Sequence, residues 1–244
     1  METILNVSAY KFVGLNDTAR LRESIRSQAA SRGLLGTVLL AEEGINLFLA
    51  GEAEALRGCL AWLRGDARFA DIVAKESVSD AAPFRKLLVK VKREIIRMDR
   101  PAIRPASCRA PAVDARTLAR WLEAGHDDAG REVVMLDTRN AWEVARGRFR
   151  AAVDWQLARF SEFPDALATH RESFAGKTVV SYCTGGIRCE KAALVMREAG
   201  LADVWQLDGG ILAWFEQTGG AHFDGDCVVF DERGALDASL APAR

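Results

Sequence analysis

Thr178-Val179-Val180-Ser181-Tyr182-Cys183-Thr184-Gly185-Gly186-Ile187-Arg188-Cys189-Glu190-Lys191 runs from an apolar segment, through a loop with two adjacent glycines, into a helical stretch from Glu190 to about Ala199. Its first five residues read as a short strand buried on both faces, since β-branched and aromatic side chains suit that surface. The same order recurs on either side. Val133-Val134-Met135-Leu136 leads into Asp137, and Val204-Trp205-Gln206-Leu207 leads through Asp208-Gly209-Gly210 into a helix over Ile211 to Gln217. Buried strands alternating with helices predict an α/β domain built on a parallel sheet.

A cysteine at the carboxyl end of such a strand stands where open α/β sheets place their ligands. The loop Thr184-Gly185-Gly186-Ile187 can curl so that successive backbone N–H groups point inward, and the helix start adds partial positive charge. Gly185 and Gly186 permit the dihedrals such a cradle needs, and Arg188 supplies a fixed cation. All of this favours thiolate over thiol, the condition for nucleophilic chemistry at Cys183. An isolated cysteine is more often a small buried hydrophobe; the strand, loop, arginine and helix around Cys183 reverse that reading. For Cys189, in the first helical turn, simple packing competes with a role as a resolving thiol. Cys59, Cys108 and Cys227 read as structural or incidental, and Asp137 with Arg139 as a brace for the active loop.

The first hundred residues follow a different order, βαββαβ. Leu5 to Val13 is strand-like, Asn16 or Asp17 can cap a helix reaching Arg32, and Gly33 stops it. Leu34 to Leu40 and Ile45 to Ala50 flank Ala41-Glu42-Glu43-Gly44, a hairpin or a bulge in one long strand. A helix from Glu52 to Leu63 and strands over Ile72 to Val78 and Lys86 to Lys92 complete a ferredoxin-like α+β sandwich. Pro101, Pro105 and Pro111 mark a linker. The expected organisation is therefore 1–99 ferredoxin-like, 100–111 linker, 112–220 α/β, and 221–244 a tail.

The chain of 244 residues carries 33 Lys+Arg against 34 Asp+Glu, a net of -1, which at first sight excludes a nucleic-acid partner. The halves differ, however: residues 1–111 hold 18 basic and 13 acidic side chains, and residues 112–244 hold 15 and 21. Nine basic residues fall between Arg85 and Arg109 against Glu94 and Asp99 alone. Lys86, Lys90, Lys92, Arg93 and Arg97 thus form a candidate phosphate-tracking strip, with edge-strand lysines that prevent aggregation as the competing reading. Trp142, Trp155, Trp214 and Phe160 are candidate platforms for unstacked bases, although core is the commoner fate of an aromatic residue. Glu42 and Glu43 read as a solvated turn, and His126 and His170 as surface residues. His222 and Asp226 are two metal-type side chains with no third, and there is no CxxC pair. No run of about 18 to 20 apolar residues is present to span a membrane, which points to a cytosolic protein.

With those motifs in place, the second domain resembles a rhodanese domain: Leu136-Asp137-Thr138-Arg139-Asn140-x-Trp142-Glu143, the Cys183 to Arg188 loop and Leu207-Asp208-Gly209-Gly210-Ile211-x-x-Trp214 are similar to three of its strings. Ala41-Glu42-Glu43-Gly44-Ile45-Asn46, the longer string Tyr182 to Ala192, and His222-Phe223-x-Gly225-Asp226-Cys227-x-Val229-Phe230-Asp231 extend the resemblance over nearly the whole chain, to the rhodanese-related tRNA uridine hydroxylase family. The resemblance implies oxygen-dependent hydroxylation of the wobble uridine of tRNA to 5-hydroxyuridine, with Cys183 as the loop cysteine, the anticodon region as partner and molecular oxygen as co-substrate. It also raises a substrate-facing role for Glu42 and Glu43. The sequence has no GxGxxG fingerprint and no facial metal triad, so the electron donor stays open and no cofactor or metal is evident. Two departures stand out: Gly147-Arg148 replaces the Gly-His common in rhodaneses, and the Cys-rich tail of many members is absent after Arg244. A sulfurtransferase using a Cys183 persulfide and a catalytically silent RNA-binding module are the alternatives. Four residues between Cys183 and Arg188, where related phosphatases place five, argue against phosphatase chemistry.

Overall fold

The computed structural model of the chain describes residues 3–243. They form two compact units. One runs to Arg97 and includes Phe230–Arg233; the other comprises Met98–Val229 and the residues from Gly234 onward.

The first unit contains β1 (Ile4–Phe12), α1 (Thr18–Ala30), β2 (Leu35–Ala41), β3 (Gly44–Gly51), α2 (Ala53–Arg64), β4 (Ala74–Ser79) and β5 (Leu87–Val91). The strands lie in the order β4-β1-β3-β2-β5, antiparallel except for the last pair. This is the split βαβ sheet expected from the sequence, widened at one edge by β5. Side chains alternate as the pleat requires, so Leu47 and Leu49 of β3 and Val38 and Leu40 of β2 enter one core. The helices add their own stripes, Leu21, Ile25 and Ala29 from α1 and Leu56, Cys59, Leu60 and Leu63 from α2. Glu52 caps α2 by accepting the N–H groups of Glu54 and Ala55 at 3.1 and 3.0 Å. Ala41 pairs with Gly44, so the break between the two apolar runs is a two-residue hairpin turn, Glu42-Glu43. Its Glu43 is more than a solvated residue, for its carboxylate accepts the Ile95 N–H at 2.7 Å.

The second unit contains β6 (Ala112–Val113), α3 (Ala115–Ala124), β7 (Val133–Asp137), α4 (Ala141–Val144), β8 (Gly147–Phe149), α5 (Phe163–His170), β9 (Thr178–Tyr182), α6 (Ile187–Glu198), β10 (Val204–Leu207) and α7 (Gly210–Thr218). After them come β11 (Phe223–Gly225), β12 (Cys227–Val228) and β13 (Ala235–Leu236). The main sheet is parallel throughout, in the order β6-β10-β9-β7. Every residue of β9 is buried, as expected of a central strand covered on both faces. Two antiparallel ribbons, β8 with β11 and β12 with β13, carry the chain beyond 220 and were not legible as strands at two or three residues each.

Phe149, fully buried, ties the ribbon to the sheet. Its ring meets Tyr182, Trp214 and Phe223 edge-on at 4.8, 5.0 and 5.4 Å between centroids. Trp214 and Phe160 are core residues rather than platforms, whereas Trp142 is 53% exposed. Trp155 is half-buried and stacks on the exposed ring of His170.

The sheet faces of the first unit predict opposite outcomes for two apolar truncations. Leu40→Ala should lower the unfolding free energy in urea by about 3 kcal/mol. Val91→Thr, on an exposed stretch of β5, should change it by no more than about 0.5 kcal/mol.

Candidate active site

The loop after β9 is held from both ends. The Cys183 and Thr184 carbonyls accept the N–H groups of Ile211 and Leu212 at 2.9 and 3.1 Å, which seats the loop on the first turn of α7. Gly210 makes this approach feasible: a Cβ there would lie 2.4 Å from the Cys183 carbonyl oxygen and 2.8 Å from the Gly186 nitrogen, and its φ is +66°. Gly186, with φ +101°, turns the chain into α6 three residues before the start expected from the apolar pattern. Arg188, Glu190 and Lys191 interrupt the apolar pattern there, so periodicity could not reveal it. Thr184 Oγ1 donates to the Val228 carbonyl at 3.2 Å, anchoring the loop to β12.

Cys183 is wholly buried, and its Sγ accepts the Gly186 N–H at 3.1 Å. Burial opposes ionisation. The Cys189 S–H, the Arg188 charge and the N–H groups of Arg188 and Gly186 outweigh it and hold the Cys183 thiol at about 5. Cys189 moves the other way, pushed well above the ordinary thiol range by burial and by its neighbour Cys183. The two sulfurs therefore share one proton, which sits on Cys189. Cys227 belongs to the same cluster. Burial raises it to about 12 despite the nearby Arg139 guanidinium, so it stays a thiol.

Arg188 is also buried, and Glu143 of α4 meets it through two bonds of 2.7 Å. Glu143 Oε1 additionally accepts the Asn140 N–H at 3.1 Å. Behind this pair, Asp137 and Arg139 form a second fully buried one at 2.7 Å, and Arg139 donates to the Gly147 carbonyl at 2.6 Å. Thr138, between them, donates its N–H and its hydroxyl to the Tyr182 carbonyl at 3.1 and 2.9 Å and lies 3.8 Å from Cys189 Sγ. Asp137, Arg139, Cys183, Arg188 and Cys189 are thus brought together.

The basic strip belongs to the other unit. Lys86, Lys90, Lys92, Arg93 and Arg97 are all exposed, and β5 is an edge strand, which also suits the anti-aggregation reading of its lysines. Arg109, counted with them in sequence, is engaged elsewhere, reaching Glu190 at 3.0 Å and Asp208 at 3.3 Å.

Residues 4–95 match the family model of the UPF0176 acylphosphatase like domain and residues 111–217 that of the Rhodanese-like domain. A Bordetella pertussis protein named tRNA uridine(34) hydroxylase is 65% identical over 242 residues, covering 99% of each chain. The chain belongs to the tRNA uridine(34) hydroxylase family. Relatives of the same name in Variovorax paradoxus and Ralstonia nicotianae are 62% and 61% identical, over 99% and 98% of this chain and 92% and 85% of their own.

In this member of the tRNA uridine(34) hydroxylase family, three distant strings and the segment at Cys227 form one cluster. The sequence assigns Glu143 no role, yet it is the counter-charge of Arg188. Nor does it assign one to Gly210, the seat of the loop. Cys227, which the sequence reads as structural or incidental, is buried in this cluster, and the string from His222 to Asp231 carries its signal. Among the described residues, no helix is long and apolar enough to cross a membrane.

One titration checks the electrostatics. Ultraviolet thiolate absorbance should rise with a midpoint near pH 5 for one thiol per chain, and Cys183→Ala should abolish that step. Because this folded-state value lies below the ordinary thiol range, the anion is present at neutral pH and lost as pH falls through about 5. Cys189→Ala, which removes the S–H donor, should move the midpoint upward; a single step in the ordinary thiol range for the unmutated protein would contradict the assignment.

Proposed function

We propose that this protein is a tRNA uridine(34) hydroxylase, converting the wobble uridine of the anticodon to 5-hydroxyuridine with molecular oxygen as co-substrate. The observation that carries the reading is a buried cysteine, Cys183, whose Sγ accepts the Gly186 N–H at the loop before α6, within a chain 65% identical along nearly its whole length to a protein of that name.

Carbon 5 of uridine must become electron-rich before it can be oxidised. Addition of Cys183 Sγ to C6 does this: the C5–C6 π bond breaks, an S–C6 bond forms, and the electron pair spreads over C5 and O4 as an enolate. Uridine, dioxygen, two electrons and two protons then give 5-hydroxyuridine and water, the electrons coming from an external two-electron donor. Loss of the C5 proton and rupture of the S–C6 bond restore the thiolate. Arg188, Thr184, Gly185, Gly186 and Ile187 serve by keeping the sulfur ionised and fixed, and Cys189 by holding the neighbouring proton. The sulfur is covered in the present conformation, so the chain above it must open for a base to enter. Lys86, Lys90, Lys92, Arg93 and Arg97 are the residues we assign to phosphates of the tRNA.

Incubation of undermodified tRNA with the protein, followed by digestion and mass spectrometry, should yield 5-hydroxyuridine under air and none under nitrogen. Cys183→Ala should reduce the product at least about a hundredfold, and full product from that variant would refute the nucleophile. Robust thiosulfate-to-cyanide transfer without oxidised uridine would replace the reading with a sulfurtransferase. Converting Lys90, Lys92 and Arg97 to Gln together should reduce the slope of log affinity for tRNA against log salt by about two to three. Unchanged binding would leave the lysines as edge-strand protection.

A further inference from the structure

Cys183, Cys189 and Cys227 are all buried in the second unit, and addition to uridine uses only the first of them. Cys183 and Cys189 are neighbours from two directions. Gly186 donates its N–H to Cys183 Sγ at 3.1 Å, and its carbonyl accepts the Cys189 N–H at 3.0 Å. On the other side, the Thr138 hydroxyl bonds the carbonyl of Tyr182, the residue before Cys183, and lies 3.8 Å from Cys189 Sγ. The Cys189 S–H donates to the Cys183 sulfur. Cys227 is directed elsewhere, toward Thr184 and the Val228 carbonyl, 3.7 Å from its sulfur.

Two adjacent thiols that join as a disulfide release two electrons and two protons. That is the amount separating uridine and dioxygen from 5-hydroxyuridine and water. The setting of Cys189 suits such a use. Burial, then the adjoining Cys183 anion, keep it protonated at rest, while Thr138 and Arg188 act in the opposite direction. Once Cys183 Sγ is bonded to C6 it carries no charge, and the second of those restraints is lifted. Cys189 therefore gains nucleophilicity when its partner is occupied.

We propose that Cys189 is a second catalytic thiol, which delivers the two electrons of the hydroxylation by forming a disulfide with Cys183. The proposal rests on the hydroxylase reading and names the immediate electron donor within that site.

The enolate passes its electron pair to dioxygen in two one-electron steps, forms a C5–O bond and takes up a proton, giving a C5 hydroperoxide while Cys183 remains on C6. Cys189 Sγ attacks the distal oxygen. The O–O bond breaks, an S–O bond forms, and the thiol proton passes to the oxygen left on C5, so that Cys189 becomes a sulfenic acid. Loss of the C5 proton and rupture of the S–C6 bond release 5-hydroxyuridine and the Cys183 thiolate. That thiolate attacks the Cys189 sulfur and expels hydroxide, which leaves as water with the proton lost from C5. Uridine, dioxygen and two thiols have then become 5-hydroxyuridine, water and one disulfide. An external dithiol restores the pair by exchange and is the donor for the reaction as a whole.

Trypsin separates the two thiols, since cleavage after Lys177, Arg188 and Lys191 puts Cys183 in the peptide 178–188 and Cys189 in 189–191. Reduced full-length protein, freed of reductant, is mixed under air with a slight excess of undermodified tRNA, quenched in acid, alkylated and digested. About one 5-hydroxyuridine per chain should form, in step with a disulfide link between those two peptides, and dithiothreitol should turn this burst into repeated turnover. Cys189→Ser keeps a hydroxyl donor beside Cys183, so its thiolate midpoint should stay near that of the unmutated protein, yet its burst should fall at least about tenfold with no link. Cys108→Ser, which removes an exposed thiol, should change neither. A full burst from Cys189→Ser, or product without the link in the unmutated protein, would overturn the proposal and leave the hydroxylase reading standing. Absence of 5-hydroxyuridine from the unmutated protein, with and without dithiothreitol, would sink that reading and the second thiol's role with it.

Discussion

The bidentate pair between Glu143 and Arg188 sets the terms for everything around the thiol. A guanidinium sealed from water is costly unless a carboxylate meets it in good geometry, and Glu143 does so with both oxygens at 2.7 Å. The pair is formally neutral, as is the second pair, Asp137 with Arg139, behind it. An ionised Cys183 therefore leaves the buried cluster with one net negative charge. The Cys189 S–H and the Arg188 charge balance it first, and the N–H groups of Arg188 and Gly186 at the start of α6 add to them. Arg188 contributes its field at the sulfur while both terminal nitrogens of its guanidinium bond Glu143.

That division of labour explains why the loop is so firmly seated. Dipoles stabilise a charge only when they are held in place, and the holding comes from three separate parts of the chain. Thr138 reaches the end of β9, Ile211 and Leu212 take the loop carbonyls, Gly210 leaves room for them, and Val228 receives the Thr184 hydroxyl. Phe149, Tyr182 and Trp214 pack edge-to-face and join the sheet to the ribbon.

The order and type of the major elements were legible because they rest on long patterns. The five residues of β9 and the four of β10 fall where the sequence placed them, and the βαββαβ order of the first unit gives the observed sheet. The cysteine loop was legible from glycines and charge in a short space. Pairings between distant residues were not: nothing local to Glu143 says that its partner lies forty-five positions on. Nor does periodicity mark a three-residue strand such as β8, whose register is set by β11 some seventy residues later. The charge division between the halves survived as a fact of sequence, but Arg109 shows its limit, since a basic residue in a basic stretch can be consumed by a local carboxylate.

Phe230–Arg233 lie with the first unit although the residues before and after them lie with the second. Arg233 donates to the Ser77 hydroxyl at 2.8 Å, and the Glu232 N–H to the Pro83 carbonyl at 3.0 Å. The two units are thus not beads joined by one string. A cut in the linker would strip the first of a piece of its own surface, and a swap of either domain for an unrelated one would have to replace the returning segment as well.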